Sequence, residues 1–290
     1  MTSVLFDAPG PKAKTRYLWL GALATLLVVG VVAFVIIRFA ESGQFTAAKW
    51  QIFTFPLVQQ TILQATGATL SAFATAAVLS LAVGVILAVG KLSDHKWVSV
   101  PCYWFVELFR AVPLLILMMI IYYGLPTLGI QGITPFTAVV AGLTLYNGSV
   151  LAEVFRAGIE SLPKGQREAG VAIGLRKSGV MLHILFPQAS RAMLPVIISQ
   201  LVVILKDTAL GFIVTYNEVL FQAKFFGSQA QYGSPIVPAA IVAAVIYVGL
   251  CLILAAIAKY VEKQLSHSKK LAKGGPAPVA VAEKVNLESQ

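Results

Sequence analysis

Residues 51–90 read QIFTFPLVQQTILQATGATLSAFATAAVLSLAVGVILAVG and contain no Asp, Glu, Lys or Arg. An α-helix needs only about 20 predominantly apolar residues to cross a bilayer, and this stretch is longer than that. Its more hydrophobic half, residues 66–90, predicts one transmembrane helix. Charge-free blocks of the same kind recur along the chain, and they predict that the whole fold is built from such helices.

The composition agrees with this prediction. Of the 290 residues, 58% are hydrophobic and 12% are charged, and the mean hydropathy is +0.83. A soluble globular protein has about twice that share of charged residues, so the composition excludes a soluble enzyme and a disordered protein. The net charge of +10 would suggest nucleic-acid binding in a soluble chain, whereas in a membrane protein its distribution sets the topology. Cys102 and Cys251 lie far apart in apolar surroundings, which indicates neither a disulfide framework nor a zinc site.

Six transmembrane helices are predicted. Residues 17–37 form the first, because the apolar run is longer than the core of a signal peptide and no cleavage site follows it. Residues 111–152 hold the third and fourth, separated by turn-forming residues at 124–126 and 129–135. The other predicted helices are residues 66–90, 193–216 and 236–258.

The basic residues predict the orientation. Most of the 22 Lys and Arg residues fall in segments assigned to the cytoplasm, whereas Arg38, Lys49 and Lys224 fall in outer loops. Positive charge concentrates on the cytoplasmic side, so both termini are expected there. The sequence therefore predicts an all-α integral membrane protein of the inner (plasma) membrane. It has a cytoplasmic segment (1–16), a six-helix domain (17–260) and a cytoplasmic tail (261–290) whose composition predicts disorder.

Several activities lack their sequence signatures. The chain has no G-x-x-x-x-G-K-[ST] phosphate-binding loop and so does not hydrolyse nucleotides by that route. The outer loops are too short for a ligand-binding domain. The spans show no polar pair suited to hydrolysis, and we predict no catalytic residue and no metal ligand. A clear inverted repeat, which many secondary transporters have, is also missing.

The longest predicted cytoplasmic connection, residues 153–191, has a helical pattern. Pro163 and Gly165 open a short segment in which Ala169, Ala172 and Ile173 lie at i, i+3 and i+4 and form a small apolar face. Gly174 is expected to end this helix. From the residues alone, two interpretations stay open: a surface on which another protein docks closely, or a helix lying at the membrane interface.

A second helical segment is expected in the same connection. It begins near Ser178-Gly179, covers residues 181–186, and is predicted to stop at Pro187.

This connection resembles the EAA loop of ABC importer permeases. The family pattern is E-A-A, three residues, G, nine residues, then I-x-L-P, and residues 168–170, Gly174 and residues 184–187 match it with the same spacing. Two positions depart from the pattern, Gly170 for Ala and Phe186 for Leu. Both are mild, although Gly170 lowers helix propensity by about 1 kcal/mol.

Other motifs resemble the branch of this family that transports polar amino acids, most closely the second permease of a glutamate-type importer. The resemblance runs in collinear order over roughly residues 60–260. The matching segments are ELFRAVPLL (107–115), YYGLP (122–126), AEVFRAGI (152–159) and LKDTAL (205–210).

The resemblance implies a type I ABC importer permease. Its partners would be a cytoplasmic ATPase dimer, a second permease that is identical or homologous, an extracytoplasmic solute-binding protein and membrane lipid. The chain itself would hold no cofactor, because Mg-ATP binds to the ATPase. The implied substrate is a polar amino acid, with glutamate first. The residues that would couple to the ATPase are Arg167, Glu168, Ala169, Gly170, Gly174, Arg176 and Pro187.

Charged residues inside a span are the most costly in a bilayer, at about 2.5–3.5 kcal/mol each near its centre. Lys206 and Asp207 are predicted midway along the fifth span. They either line the translocation path or form fixed pairs, for example with Glu107 or Arg110, or contact the partner permease. Four more polar residues are path candidates that are equally suited to interhelical hydrogen bonds: Tyr146, Asn147, Ser199 and Gln200.

Glu107 and Arg110 stand at i, i+3 near the cytoplasmic end of the third span. The simplest interpretation is a surface ion pair that reaches the interface. Pro113 predicts a kink three residues further on, so a gating hinge is the functional alternative.

The main alternative function is a secondary amino-acid transporter driven by an ion gradient. Asp207 or Glu107 would then bind the proton or cation. Dependence of transport on a separate ATPase distinguishes the two hypotheses.

Overall fold

The structure is a computed structural model in which residues 10–271 are described. The described chain is built from helices α1 (Pro11–Glu41), α2 (Ala47–Trp50), α3 (Pro56–Lys91), α4 (Lys96–Ala111), α5 (Leu114–Met119), α6 (Leu125–Thr127), α7 (Pro135–Glu160), α8 (Lys164–Ala172), α9 (Lys177–Val180), α10 (Phe186–Asp207), α11 (Val219–Gly227) and α12 (Ile236–Leu271). Three 3-10 segments (Gln51–Thr54, Thr208–Val214, Ala230–Tyr232) and two π turns (Ile120–Gly124, Met181–Leu185) join them.

Within residues 10–271, five helical stretches are long and apolar enough to cross a membrane: Lys12–Glu41, Pro56–Lys91, Pro135–Glu160, Lys177–Val214 and Ile236–Gln264. A bent pair, Lys96–Ala111 with Leu114–Thr127, meets the same test when its two parts are taken as one span. This confirms the predicted all-helical fold, with six spans when the bent pair counts as one. The third span then begins at Lys96, earlier than the predicted residue 111. Helices suit the bilayer because every backbone N–H and C=O in their interior is paired within the segment.

The two ends of the chain differ in part from the prediction. α12 continues to Leu271, so residues 261–271 are helical although the tail was predicted to be disordered. The reason is local, because no Gly or Pro interrupts the sequence between Gly249 and Gly274. Residues 1–9 and 272–290, which include the rest of the predicted terminal segments, lie outside the described residues.

The described residues group into two compact units. The first unit contains the described residues up to Ala68 together with Asn217–Ile246, and the second contains Thr69–Tyr216 and the residues from Tyr247 onward. The boundaries fall inside α3 and α12.

In the first unit, a buried carboxylate begins α11. The Glu218 side chain is fully buried, and its two oxygens accept hydrogen bonds from the backbone N–H groups of Leu220 and Phe221, each at 2.6 Å. An anion is favourable at a helix N-terminus because the unpaired N–H groups and the helix dipole both point to it. Sequence analysis did not single out Glu218.

In the second unit, α7 is the central helix, and α3 crosses it at small residues. A Cβ on Gly84 of α3 would lie 2.8 Å from the Leu151 Cβ, and one on Gly148 of α7 would lie 2.9 Å from Val83 Cγ1. Small residues allow such close backbone approach, which is the main source of helix packing energy within a bilayer. Beside this crossing, Ala88, Leu151 and Phe155 form one buried apolar cluster.

The predicted kink at Pro113 is a sharp bend. α4 ends at Ala111, Val112 has extended φ and ψ of −80° and 125°, and α5 begins after Pro113 at an angle of 100°. The extended conformation of Val112 is the one that a residue before proline prefers, so the sequence itself sets this break.

The fifth span differs from the prediction in two ways. Pro187 does not stop the segment before it, because the π turn Met181–Leu185 shifts the hydrogen-bond register and leaves Pro187 in the first turn of α10, where its missing N–H costs little. Lys206 and Asp207 lie at the C-terminal end of α10, before the 3-10 segment, and not midway along the span.

Candidate functional site

The short helix α8 is terminated as its sequence predicts. Gly174 follows the helix with φ of +82°, a left-handed conformation that glycine adopts without steric cost. Its N–H bonds to the Val171 carbonyl at 2.9 Å, and the Leu175 N–H bonds to the Gly170 carbonyl at 3.1 Å. These two bonds form a Schellman motif, which pairs the last carbonyls of the helix.

α8 has an inner and an outer side. Gly170 is buried, and a Cβ there would lie 2.8 Å from Val180 Cγ2 and 2.9 Å from Ile184 Cδ1. Glu168 and Ala169 are exposed, and Ile173 is 76% exposed. The resemblance places Gly170 among the residues that contact the ATPase. In the structure, Gly170 instead packs against Val180 and Ile184 of its own chain.

The exposed side matches the face that the sequence predicted. Ala169, Ala172 and Ile173 all lie on the surface, together with Val171, which is 58% exposed. Arg167 and Arg176 are also exposed. A short, rigid helix with small apolar residues and flanking charges suits close contact with another protein surface.

A lysine ties this connection to the loop between α3 and α4. Lys177 Nζ donates to the Leu92 carbonyl at 2.9 Å and pairs with the Asp94 carboxylate. The Lys177 hydrogen bond is the main reason why the pKa of the Asp94 carboxyl lies below its usual value. The sequence gives no local signal for this pair, because the two residues are distant in the chain.

A surface cavity of about 790 Å³ lies between α8 and this loop. Its lining combines charged side chains of both signs with apolar side chains. Among its lining residues are Asp94, Arg167, Glu168, Lys177, Val180 and Leu185. Near Pro187, the Gln188 amide donates to Gln166 at 3.3 Å and so links the start of α10 to α8.

The structure brings two of the predicted path residues together. Gln200 of α10 donates to the Asn147 side-chain oxygen of α7 at 2.7 Å, and Asn147 donates in turn to the Leu143 carbonyl at 3.1 Å. Asn147 is fully buried. Ser199 donates to the Pro195 carbonyl within its own helix, and Tyr146 packs against the apolar cluster around Leu117.

Lys206 and Asp207 do not pair with Glu107 or Arg110 in the part of the chain that the structure describes. Lys206 is exposed and Asp207 is half-buried. The segment after them is held by the YYGLP tyrosines: Tyr123 donates to the Ile213 carbonyl at 3.0 Å, and the hydroxyls of Tyr122 and Thr215 lie 3.2 Å apart.

Glu107 and Arg110 do form the predicted pair, with Arg110 Nη1 3.6 Å from Glu107 Oε1. Glu107 Oε1 also lies 3.8 Å from the ammonium of Lys91, whose side chain is nearly buried; from the sequence, Lys91 is only one of the basic residues assigned to the cytoplasmic side. Within residues 10–271, no cluster of three His, Cys, Asp or Glu side chains is arranged to hold a metal ion.

Comparison with known proteins identifies the class. Residues 80–267 match the family described as binding-protein-dependent transport system inner membrane component. The chain therefore belongs to this family and is a multi-span protein of the inner membrane.

Curated relatives narrow the class to amino-acid ABC permeases. The chain is 40% identical over 227 residues to the glutamate transport system permease protein GluD of Corynebacterium glutamicum, covering 77% of this chain and 82% of that protein. It is 34% identical over 210 residues to the arginine transport system permease protein ArtQ of Bacillus subtilis, covering 70% and 92%. The chain is a permease subunit of this kind of importer and is not itself an enzyme.

A solved structure supports the same assignment. The crystal structure of an amino acid ABC transporter with histidines superposes with a TM-score of 0.63 at 26% identity, covering 74% of this chain and 96% of that one. An inward-facing conformation of the MetNI methionine ABC transporter, at 16% identity and a TM-score of 0.58, shares the fold.

Proposed function

We propose that this chain forms the membrane path of an importer that carries an acidic amino acid, glutamate first, into the cytoplasm at the expense of ATP. A cytoplasmic ATPase dimer binds Mg-ATP, and this chain holds no cofactor. A solute-binding protein delivers the amino acid from outside, and a second permease, identical or homologous, completes the path. Both chain termini lie in the cytoplasm.

The observation that carries this proposal is the exposed face of α8. Glu168 is the polar anchor for the ATPase, Ala169 and the turn at Gly174 give close approach, and Arg167 and Arg176 fix the orientation. The Schellman end and the buried Gly170 hold the helix firmly on its own chain, so a push on α8 moves the segments beneath it. Alternating access then follows from the movement of rigid helices.

The substrate proposal rests on the relatives, because Lys206 by itself does not identify the amino acid. GluD is described as a glutamate permease, whereas ArtQ, at lower identity, is described as an arginine permease. Lys206 is exposed at the end of α10, and we propose that it meets the substrate carboxylate. Gln200 donates to the buried Asn147 and so joins α10 to α7, and we propose that this pair also borders the path.

The test is reconstitution of the complex that copurifies with this chain from its native membrane. In proteoliposomes, uptake of labelled L-glutamate should require ATP on the cytoplasmic side and should not respond to an imposed proton or sodium gradient. Uptake driven by a gradient without ATP would instead establish the secondary transporter. Labelled L-arginine and L-glutamine, supplied in parallel, decide the substrate.

A further inference from the structure

A buried ammonium lies where three helices of the second unit end. The Lys91 side chain, at the last residue of α3, is only 5% exposed. Its Nζ forms an ion pair with Glu153 of α7, lies 3.8 Å from Glu107 Oε1 of α4 and lies 4.8 Å from the centre of the Tyr103 ring. A buried charge is tolerated only where such partners replace its water.

The charges around Lys91 balance. Arg156 donates to Glu153 at 2.9 Å and reaches Glu160 at 2.5 Å, while Arg110 lies 3.6 Å from Glu107. Three cations therefore face three carboxylates. We call this group the Lys91 cluster: Lys91, Glu107, Arg110, Glu153, Arg156 and Glu160.

The Lys91 cluster lies between α8 and the bend at Pro113. α7 ends at Glu160, and only residues 161–163 separate it from α8. α4 ends at Ala111, next to the 100° bend at Pro113. Lys91 forms ion pairs with both helices, because Glu153 belongs to α7 and Glu107 belongs to α4.

We propose that Lys91 is a positioning residue of the transport cycle. Its ammonium holds the ends of α4 and α7 together on α3, so that a displacement of α8 reaches the bend at Pro113. This inference rests on the proposed function, in which α8 receives the movement of an ATPase. Without the ammonium, the Glu107 and Glu153 carboxylates lose their shared cation, and their mutual repulsion favours separation of α4 from α7.

The experiment uses the reconstituted complex and measures the ratio of amino acid transported to ATP hydrolysed. Lys91→Met nearly keeps the length of the side chain and removes its charge, and it should lower this ratio about tenfold, an effect within the range expected for the loss of a contact in a coupling network. Glu153→Gln should act in the same direction. Lys91→Arg, which keeps the charge, should retain most of the coupling. Lys96→Met is the matched control, because Lys96 is exposed at the start of α4.

A charge exchange separates positioning from simple packing. Lys91→Glu combined with Glu153→Lys restores the ion pair between α3 and α7 but leaves Glu107 facing a carboxylate, so coupling should recover only in part relative to either single change. If Lys91→Met prevents assembly, the same ratio is measured on Glu107→Gln, whose side chain is 40% exposed, and a fall is again expected.

Two results would overturn the inference. One is a wild-type ratio of transport to ATP hydrolysis in both Lys91→Met and Glu153→Gln. If Lys91→Met does not assemble, a wild-type ratio in Glu107→Gln overturns the inference in the same way. The other is a lower yield of complex with an unchanged ratio. Both results require a wild-type complex that transports with ATP. Failure of the proposed function looks different, because the wild-type complex itself would then show no ATP-dependent uptake.

Discussion

At the scale of single residues, glycine decides where helices meet. A Cβ on Gly84 would meet both the Leu151 Cβ, at 2.8 Å, and the Gly148 carbonyl oxygen, at 3.2 Å, so α3 and α7 would have to move apart. We expect Gly84→Val to lower the stability of the purified protein by about 1–3 kcal/mol, the usual cost of overpacking. The thermal midpoint in detergent measures this. Gly67→Val on the same helix is the control, because nothing lies within 4 Å of that position, and equal midpoints for the two variants would contradict the account.

The Lys177–Asp94 pair makes a prediction about pH. The Lys177 hydrogen bond holds the folded-state pKa of Asp94 below the ordinary value of 3.8. The stabilisation is therefore fully present above that ordinary value and is lost as the pH falls through the lower, folded-state pKa. Thermal stability of the wild type and of Asp94→Asn, measured from pH 7 downwards, should keep a constant difference until the pH drops below about 4. A difference that is absent at every pH would show that the pair does not form, and one that disappears between pH 7 and pH 5 would contradict the lowered pKa of Asp94.

At the scale of elements, the end of α8 depends on the left-handed conformation of Gly174. Nothing lies within 4 Å of a Cβ at this position, so a substitution costs backbone strain and no steric clash. We expect transport per ATP to fall from the wild type through Gly174→Asn and Gly174→Ala to Gly174→Val. Asn tolerates the left-handed conformation better than Ala, and a β-branched residue tolerates it least. Uptake by the reconstituted complex measures the series. Wild-type coupling in Gly174→Val, or in Gly174→Asp, would count against α8 as the coupling element.

The sequence predicts those elements whose signals are local. The end of α8 at Gly174 and the break at Pro113 follow from the conformations that glycine and proline allow. The continuation of the helix past Pro187 does not, because the π turn before it shifts the hydrogen-bond register without a sequence signal of its own. Within the Lys91 cluster, the sequence predicts only the Glu107–Arg110 pair. The burial of Lys91 and of Glu218 is not predicted, because only the folded chain creates it.

At the scale of the whole molecule, the apolar blocks predict the number of spans and the basic residues predict the orientation. Single cysteines in a background without Cys102 and Cys251 test that orientation. Ser161→Cys, between α7 and α8, should react with an impermeant thiol reagent only from the cytoplasmic side, and Gln131→Cys, between α6 and α7, only from the outside. Both residues are exposed. The reverse pattern would overturn the predicted topology. If both cysteines reacted from the same side, α7 would not span the membrane.

The central claim is that α8 is the surface through which a separate ATPase drives this permease. The most direct test places a photo-crosslinking residue at position 168 or at position 173 in native membranes. Position 173 is included because a substitution at 168 removes the Glu168 carboxylate. The control position is Leu128, which is 77% exposed in the turn after α6. The account predicts that positions 168 and 173, and not 128, capture a nucleotide-hydrolysing polypeptide. Capture of no such polypeptide from either position, in membranes that take up the amino acid, would contradict it.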